Sequence, residues 1–403
     1  MAPTGELSFE QQVLDAFQVL RGALIEVFAA AKVDASRPYP AARDLEVNKN
    51  LTWKASKIIR ATGPNEAIQH LPGKAGMKLL LDALEAHGAD HESVERTRQA
   101  VEAFDRVIEK HSGDKATLEL MLDGLNNGQN ENEQLEKSRK LAFQGNSGVW
   151  GMQVRARLTT FVMAPDAPGS ADFDNILLTG FLGLKRLRME TPWTLLRLQS
   201  YRDDGTTKLS DSTALDRKAE ELWGVPLLPA FSTPGLPRLE VRQEESELAI
   251  ELPGGPVGKQ GTADIFFGRM DRSFASLLAS PPDVRGEFLT NYTLPIREAQ
   301  FDVIVHEDLP PITDSSFRLF SRLDGPLPPP SQRRERMAMP IDIEVRDLGT
   351  GLPAMATPLY PRYTELIAST FADPGWDPRR FRTLRAHTQS PPPRPARVLR
   401  LPL

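Results

Sequence analysis

Proline is spread so unevenly that it divides the chain before any other feature is read. Only five of the 34 prolines in this 403-residue sequence precede residue 126. Proline lacks an N–H and clashes with the preceding helical turn, so the first 125 residues can be mostly helical whereas the remainder cannot. At the same place Asn126-Asn127-Gly128-Gln129-Asn130-Glu131-Asn132-Glu133 runs without an apolar anchor, which is the composition of a linker. The expected organisation is a helical domain over residues 1–125, a polar linker over 126–138 and a proline-rich, mainly β domain with a few helices over 139–403. This is an α+β protein.

Within the first part, Phe9, Val13, Phe17, Leu20, Leu24 and Phe28 recur at three- and four-residue spacing behind Ser8 and Gln11, which read as a capping box. Val94, Val101, Phe104 and Ile108 share one face of a helix over about 90–110, and Leu118, Met121, Leu122 and Leu125 mark another. A bundle of five or six helices is expected. The second part alternates at period two, as in 153–162, 239–242 and 248–252, and this predicts strands. Phe301 to Val305 reads as a buried strand, and Trp193 to Tyr201 as a strand entering a hairpin at Asp204-Gly205. Tyr363, Leu366, Ile367 and Phe371 give one late helix, stopped by Asp373-Pro374-Gly375. Two proline-rich stretches, 323–336 and the tail from Gln389, are expected to be extended and exposed.

With no cysteine, the chain has no disulfide, thiolate nucleophile, iron–sulfur cluster or cysteine-held zinc. Its start lacks a basic segment followed by an apolar one, with Glu6 and Glu10 in the way, and its strongly apolar stretch 176–184 is far short of a membrane helix. A cytoplasmic protein without a membrane partner is expected.

The segment Tyr39 to Arg60 carries the most mechanism. Ala42, Leu45, Val47, Leu51, Ala55 and Ile58 are the small and aliphatic residues that two short crossing helices need. Asn48 is a suitable cap for the second of them. In this the segment resembles the helix-turn-helix of DNA-binding proteins, with Glu46 at the turn position often filled by glycine. The resemblance implies that the second helix presents Lys49, Asn50, Thr52, Trp53, Ser56, Lys57 and Arg60 outward. Of these, Lys49, Asn50, Thr52, Lys57 and Arg60 are the candidate DNA-binding residues, the cations for phosphates and the amide for an adenine edge. Charge is polarised accordingly: residues 41–80 carry seven Lys and Arg against three acids, while 82–136 carry five against fourteen, within a net charge of -5. Phosphate binding depends on such local balance rather than on the total.

Other signals read as structure. In Gly254 to Thr262, Gln260 stands where a phosphate loop requires Ser or Thr and the glycine spacing is short by one, and Gly145-Asn146-Ser147-Gly148 reads as a turn rather than a nucleophile elbow. His87 and His91 are split by Gly88 and Asp90, which suggests one helix ending and another starting. His306-Glu307-Asp308 reads as a polar strand end. The seven arginines from Pro378 onward, with no acid among them, are weighed as an anionic contact against simple packing of the terminus. The leading expectation is a non-enzymatic DNA-binding transcriptional regulator without a cofactor, whose second domain senses a ligand or assembles. The alternative is a structural or assembly protein whose helical domain contacts itself or another protein.

Overall fold

A computed structural model describes residues 7–125, 131–170, 172–190, 192–198, 200, 201, 207, 208, 211–243, 247–276, 285–310, 316–321, 339, 341, 343–392 and 395–402. The expected turn at Asp204-Gly205, the segment 323–336 and residues 126–130 of the expected linker lie outside these. The chain divides into two compact units, Met1–Leu135 and Glu136–Leu403. The fold is α+β, helical at its N-terminal end.

The first unit contains α1 (Phe9–Ala30), α2 (Pro38–Asp44), α3 (Lys49–Arg60), α4 (Pro64–Ile68), α5 (Lys74–Ala86), α6 (His91–His111) and α7 (Lys115–Leu125), one or two more than the periodicity predicts. Ser8 caps α1 by accepting from Gln11 N at 3.2 Å. The reciprocal arm of a capping box is not formed, because the Gln11 amide turns to Asp15 instead. Val13, Phe17, Leu20, Leu24 and Phe28 of α1 are buried in one core with Val94, Ala100, Phe104 and Ile108 of α6, each large side chain contributing about 1.5–3 kcal/mol. Thr97 Oγ1 donates to Ala23 O at 3.1 Å and locks the two helices in register. Gly88, at φ +112°, ends α5, and Asp90 caps α6 through Ser93 N at 2.8 Å.

The second unit opens with α8 (Glu131–Trp150), whose first residues belong to the other unit. The boundary between the units falls within the expected linker, whose residues 131–138 are helical, and Gly145 to Gly148 lie in helix rather than in the expected turn. The polar residues of α8 find partners both distant and within the helix. Arg139 donates to Thr388 Oγ1 and Gln389 O, and the buried Ser147 hydroxyl donates to Phe143 O.

The strands that follow are β1 (Met152–Pro165), β2 (Asp172–Arg186), β3 (Trp193–Leu198), β4 (Ser200–Tyr201), β5 (Thr207–Lys208), β6 (Thr213–Ala214), β7 (Glu240–Gln243), β8 (Leu248–Leu252), β9 (Ala263–Ser276), β10 (Arg285–Asn291), β11 (Ile296–His306), β12 (Ser316–Ser321), β13 (Val345–Thr350), β14 (Phe381–Gln389) and β15 (Pro395–Pro402). Short α9 (Arg217–Trp223), α10 (Leu352–Met355) and α11 (Tyr363–Ala372) are set among them. A seven-stranded sheet has the order β13-β14-β11-β1-β2-β9-β6, and three-stranded sheets have the orders β10-β15-β12 and β3-β8-β7.

β1 and β11 pair in parallel, and the other pairs of the large sheet are antiparallel. β1 is buried on both faces, as its near-continuous apolar run requires. Ala156, Leu158 and Val162 meet Tyr363, Leu366 and Ile367 of α11 on one side. Phe161 and Met163 meet Phe317 and Leu319 of β12 on the other. The tail from Gln389 is extended, as β15 shows, but it does not start exposed: Ser390 and Pro391 are buried, and β15 is the middle strand of its sheet.

Candidate nucleic-acid interface

The corner between α2 and α3 is built by the residues expected for it. Ala41, Ala42 and Leu45 are buried, and α2 closes with Leu45 N bonded to Ala41 O, Glu46 N to Arg43 O and Val47 N to Ala42 O, at 3.0, 3.2 and 3.0 Å. Glu46 takes φ +54°, a left-handed conformation that favours glycine, at the turn position singled out in the sequence. Asn48 Oδ1 accepts from Asn50 N at 2.9 Å and starts α3.

α3 then turns its two faces to different tasks. Thr52, Ala55, Ser56 and Ile58 are buried, and Arg21 Nε of α1 donates to Ile59 O at 2.8 Å. Thr52 therefore has to be removed from the candidate contacts: it is 1% exposed, and its hydroxyl donates to Pro38 O at 2.7 Å. Ser56 is likewise turned inward, against expectation. Lys49, Asn50, Trp53, Lys57 and Arg60 remain exposed, and 49, 53, 57 and 60 follow one helical stripe. Arg60 is partly committed, since its guanidinium donates to the carbonyl of Ser36. Among the described residues no carboxylate lies within ion-pair distance of Lys49, Lys54 or Lys57.

Trp53 is the centre of this face rather than an anomaly in it. Its ring meets His70 edge-on, with centroids 5.0 Å apart, and the Lys57 Nζ lies 5.6 Å from its centroid. Burial pushes the His70 imidazole pKa below its ordinary value, and the ammonium groups of Lys57, Lys115 and Lys54 push it further down. Sequence reasoning missed His70, Lys54 and Lys115, because α3, the α4–α5 connection and α7 are brought together only by the fold and no motif links them.

The second unit engages the remaining candidates in structural contacts. Arg380 donates to Glu307 Oε1 and Asp308 Oδ1 at 2.6 and 2.7 Å, and His306 Nδ1 accepts from Asp308 N at 3.2 Å. Burial and Arg380 hold the His306 pKa below its ordinary value, against the pull of Asp308 and Glu307. Four of the late arginines are also paired: Arg379 with Asp377, Arg380 as above, Arg382 with Asp347 and Arg385 with Asp302. Those partners favour packing over a free anionic contact for these four arginines. Asp302, fully buried, accepts further hydrogen bonds from Tyr363 Oη at 2.7 Å and Gln300 Nε2 at 3.0 Å. Arg385 also donates to Ala356 O and Met355 O, so this network is closed on itself. Gly254 to Thr262 forms the connection from β8 to β9, with a 3-10 turn at Gly258–Gly261. His91 Nδ1 lies 2.8 Å from Glu85 Oε1. No helix among the described residues is long and apolar enough to cross a membrane.

No known family model matches the chain, and no curated protein matches it. Among solved structures, one match is a putative protease from Parabacteroides distasonis ATCC 8503, with 10% identity and a TM-score of 0.24, covering 62% of this chain and 40% of that one. A likeness this slight carries no argument about fold or activity.

Proposed function

We propose that the helical unit binds double-stranded DNA through the exposed face of α3, and that the chain is a cytoplasmic, non-enzymatic transcriptional regulator whose second unit senses a ligand or assembles. One observation carries this reading. Lys49, Asn50, Trp53 and Lys57 stand exposed on a capped helix that is braced from behind by α1 and α2, with no carboxylate pairing the lysines among the described residues. Cations so placed neutralise phosphates, and an amide at the start of the helix suits a base edge.

The test is fluorescence anisotropy of the full chain on duplex DNA over a salt series. Lys57→Ala is expected to weaken binding to all sequences alike and to lower the salt slope by about one. Asn50→Ala is expected to change which sequence is preferred, at a cost of about 1–3 kcal/mol for its best site. Absence of salt-dependent retention by the wild-type chain overturns the proposal.

A second reading, assembly through protein contacts, rests on Leu14, Val19 and Ile25 of α1, which are 36%, 59% and 44% exposed. Light scattering that finds a stable oligomer together with no DNA retention selects it.

A further inference from the structure

We infer that Lys57, His70 and Lys115 form a single phosphate-binding cluster beside the exposed face of α3, extending the contact onto the α4–α5 connection and the start of α7. As a contact to the DNA backbone, it rests on the reading above.

The cluster is continuous. Lys115, the first residue of α7, donates from its ammonium to Leu71 O at 3.0 Å and Gln69 O at 3.5 Å. Those two carbonyls flank His70 in sequence, so Lys115 holds the connection from which the imidazole meets Trp53. Trp53 in turn carries the ammonium of Lys57 over its ring. The neighbouring acid, Asp114, is occupied as the cap of α7, accepting from Thr117 N at 2.9 Å and from the Thr117 hydroxyl at 2.8 Å.

The charges converge without a local answer. The ammonium groups of Lys57, Lys115 and Lys54 all disfavour a charge on His70, and Lys54 also acts against the charge on Lys115. Glu119, on α7, offsets this at Lys115 only. Elsewhere in the same unit some cations are paired in place: Arg96 meets Glu92 and Glu26, and Arg98 meets Glu95. The Lys57 ammonium and the His70 imidazole against one indole, with the Lys115 ammonium on the carbonyls beside His70, lower their mutual repulsion when a phosphate oxygen comes among them. The chemistry recognised is a phosphate ester or anhydride, and a nucleic-acid backbone and a free polyphosphate both present it.

The experiment measures full-length protein against a labelled random-sequence duplex over a salt series, and separately against inorganic tripolyphosphate by calorimetry. Wild type is compared with Lys115→Met, Lys115→Arg and His70→Gln, each checked by thermal melting. Lys115→Met is expected to bind the duplex about three- to tenfold more weakly at about 0.1 M salt, with a salt slope lower by about one, while Lys115→Arg keeps both. If Lys115→Met fails to fold, Lys115→Arg and His70→Gln carry the comparison, and His70→Gln is expected to weaken binding in the same sense. A wild type that binds the duplex alongside variants of equal affinity and slope overturns the cluster and leaves the α3 reading standing. A wild type that ignores the duplex but binds tripolyphosphate, with the variants impaired, upholds the cluster and removes the DNA reading. Binding to neither probe overturns both.

Discussion

The hydroxyl of Thr52 donates to the carbonyl of Pro38 at 2.7 Å, joining the second turn of α3 to the first residue of α2. Thr52 is buried, so replacing its hydroxyl by a methyl leaves the Pro38 carbonyl without this donor. Thr52→Val is expected to lower the stability of the helical unit by about 1–2 kcal/mol and to leave the DNA preference of the folded protein unchanged. Urea unfolding followed at the far-ultraviolet helical signal measures the first, and anisotropy the second. An altered preference with unchanged stability returns Thr52 to the contact surface.

Glu46 is the residue of the corner whose backbone conformation its own side chain disfavours, at φ +54°. Glycine takes that conformation without a Cβ clash, at the expense of a freer unfolded chain. Glu46→Gly is expected to stabilise by about 0.5–1 kcal/mol, and loss of the carboxylate next to α3 adds to anion affinity in the same variant. A fall in melting temperature contradicts the turn geometry.

Two histidines make stability depend on pH in the same direction. His70 and His306 have pKa values below the ordinary 6.5, in each case first through burial and then through neighbouring cations. The unfolded chain therefore binds these protons more readily than the folded one. The stability each contributes is present above pH 6.5 and is lost as pH falls through the lowered folded value. Denaturant midpoints are expected to drop between about pH 7.5 and about pH 5, less so in His306→Asn, whose amide oxygen can accept from Asp308 N in place of the imidazole. A midpoint that rises over this interval sinks the assignment.

Much of this architecture is legible in residue spacing, and the failures share a cause. The core faces of α1 and α6 and the strand at Leu248–Leu252 can be read directly, because apolar periodicity records which side is buried. α8 cannot, since Gly145, Asn146 and Gly148 argue locally against helix while Arg139 finds a partner, Gln389 O, that only the folded chain supplies. At the candidate site, Lys49, Asn50 and Lys57 can be placed from the sequence. Thr52 and Ser56 are misplaced, because a polar residue is read as outward unless a carbonyl is known to wait for it. His70 and Lys115 belong to stretches that carry no motif and become neighbours of Trp53 only through packing.

The parallel pairing of β1 with β11 sets Val154 opposite Ile296, and so makes the centre of the large sheet its most distant pairing in sequence. Closing so long a loop is costly in chain entropy, and the cost is met before any ladder bond repays it. β2, reached by a short hairpin, can zip onto one edge of β1 at once. The other edge, where Val154 to Met163 pair with β11, has to wait for β11 to be made. During synthesis and refolding this unit consequently passes through a stage with an apolar strand edge uncovered, when aggregation competes with completion.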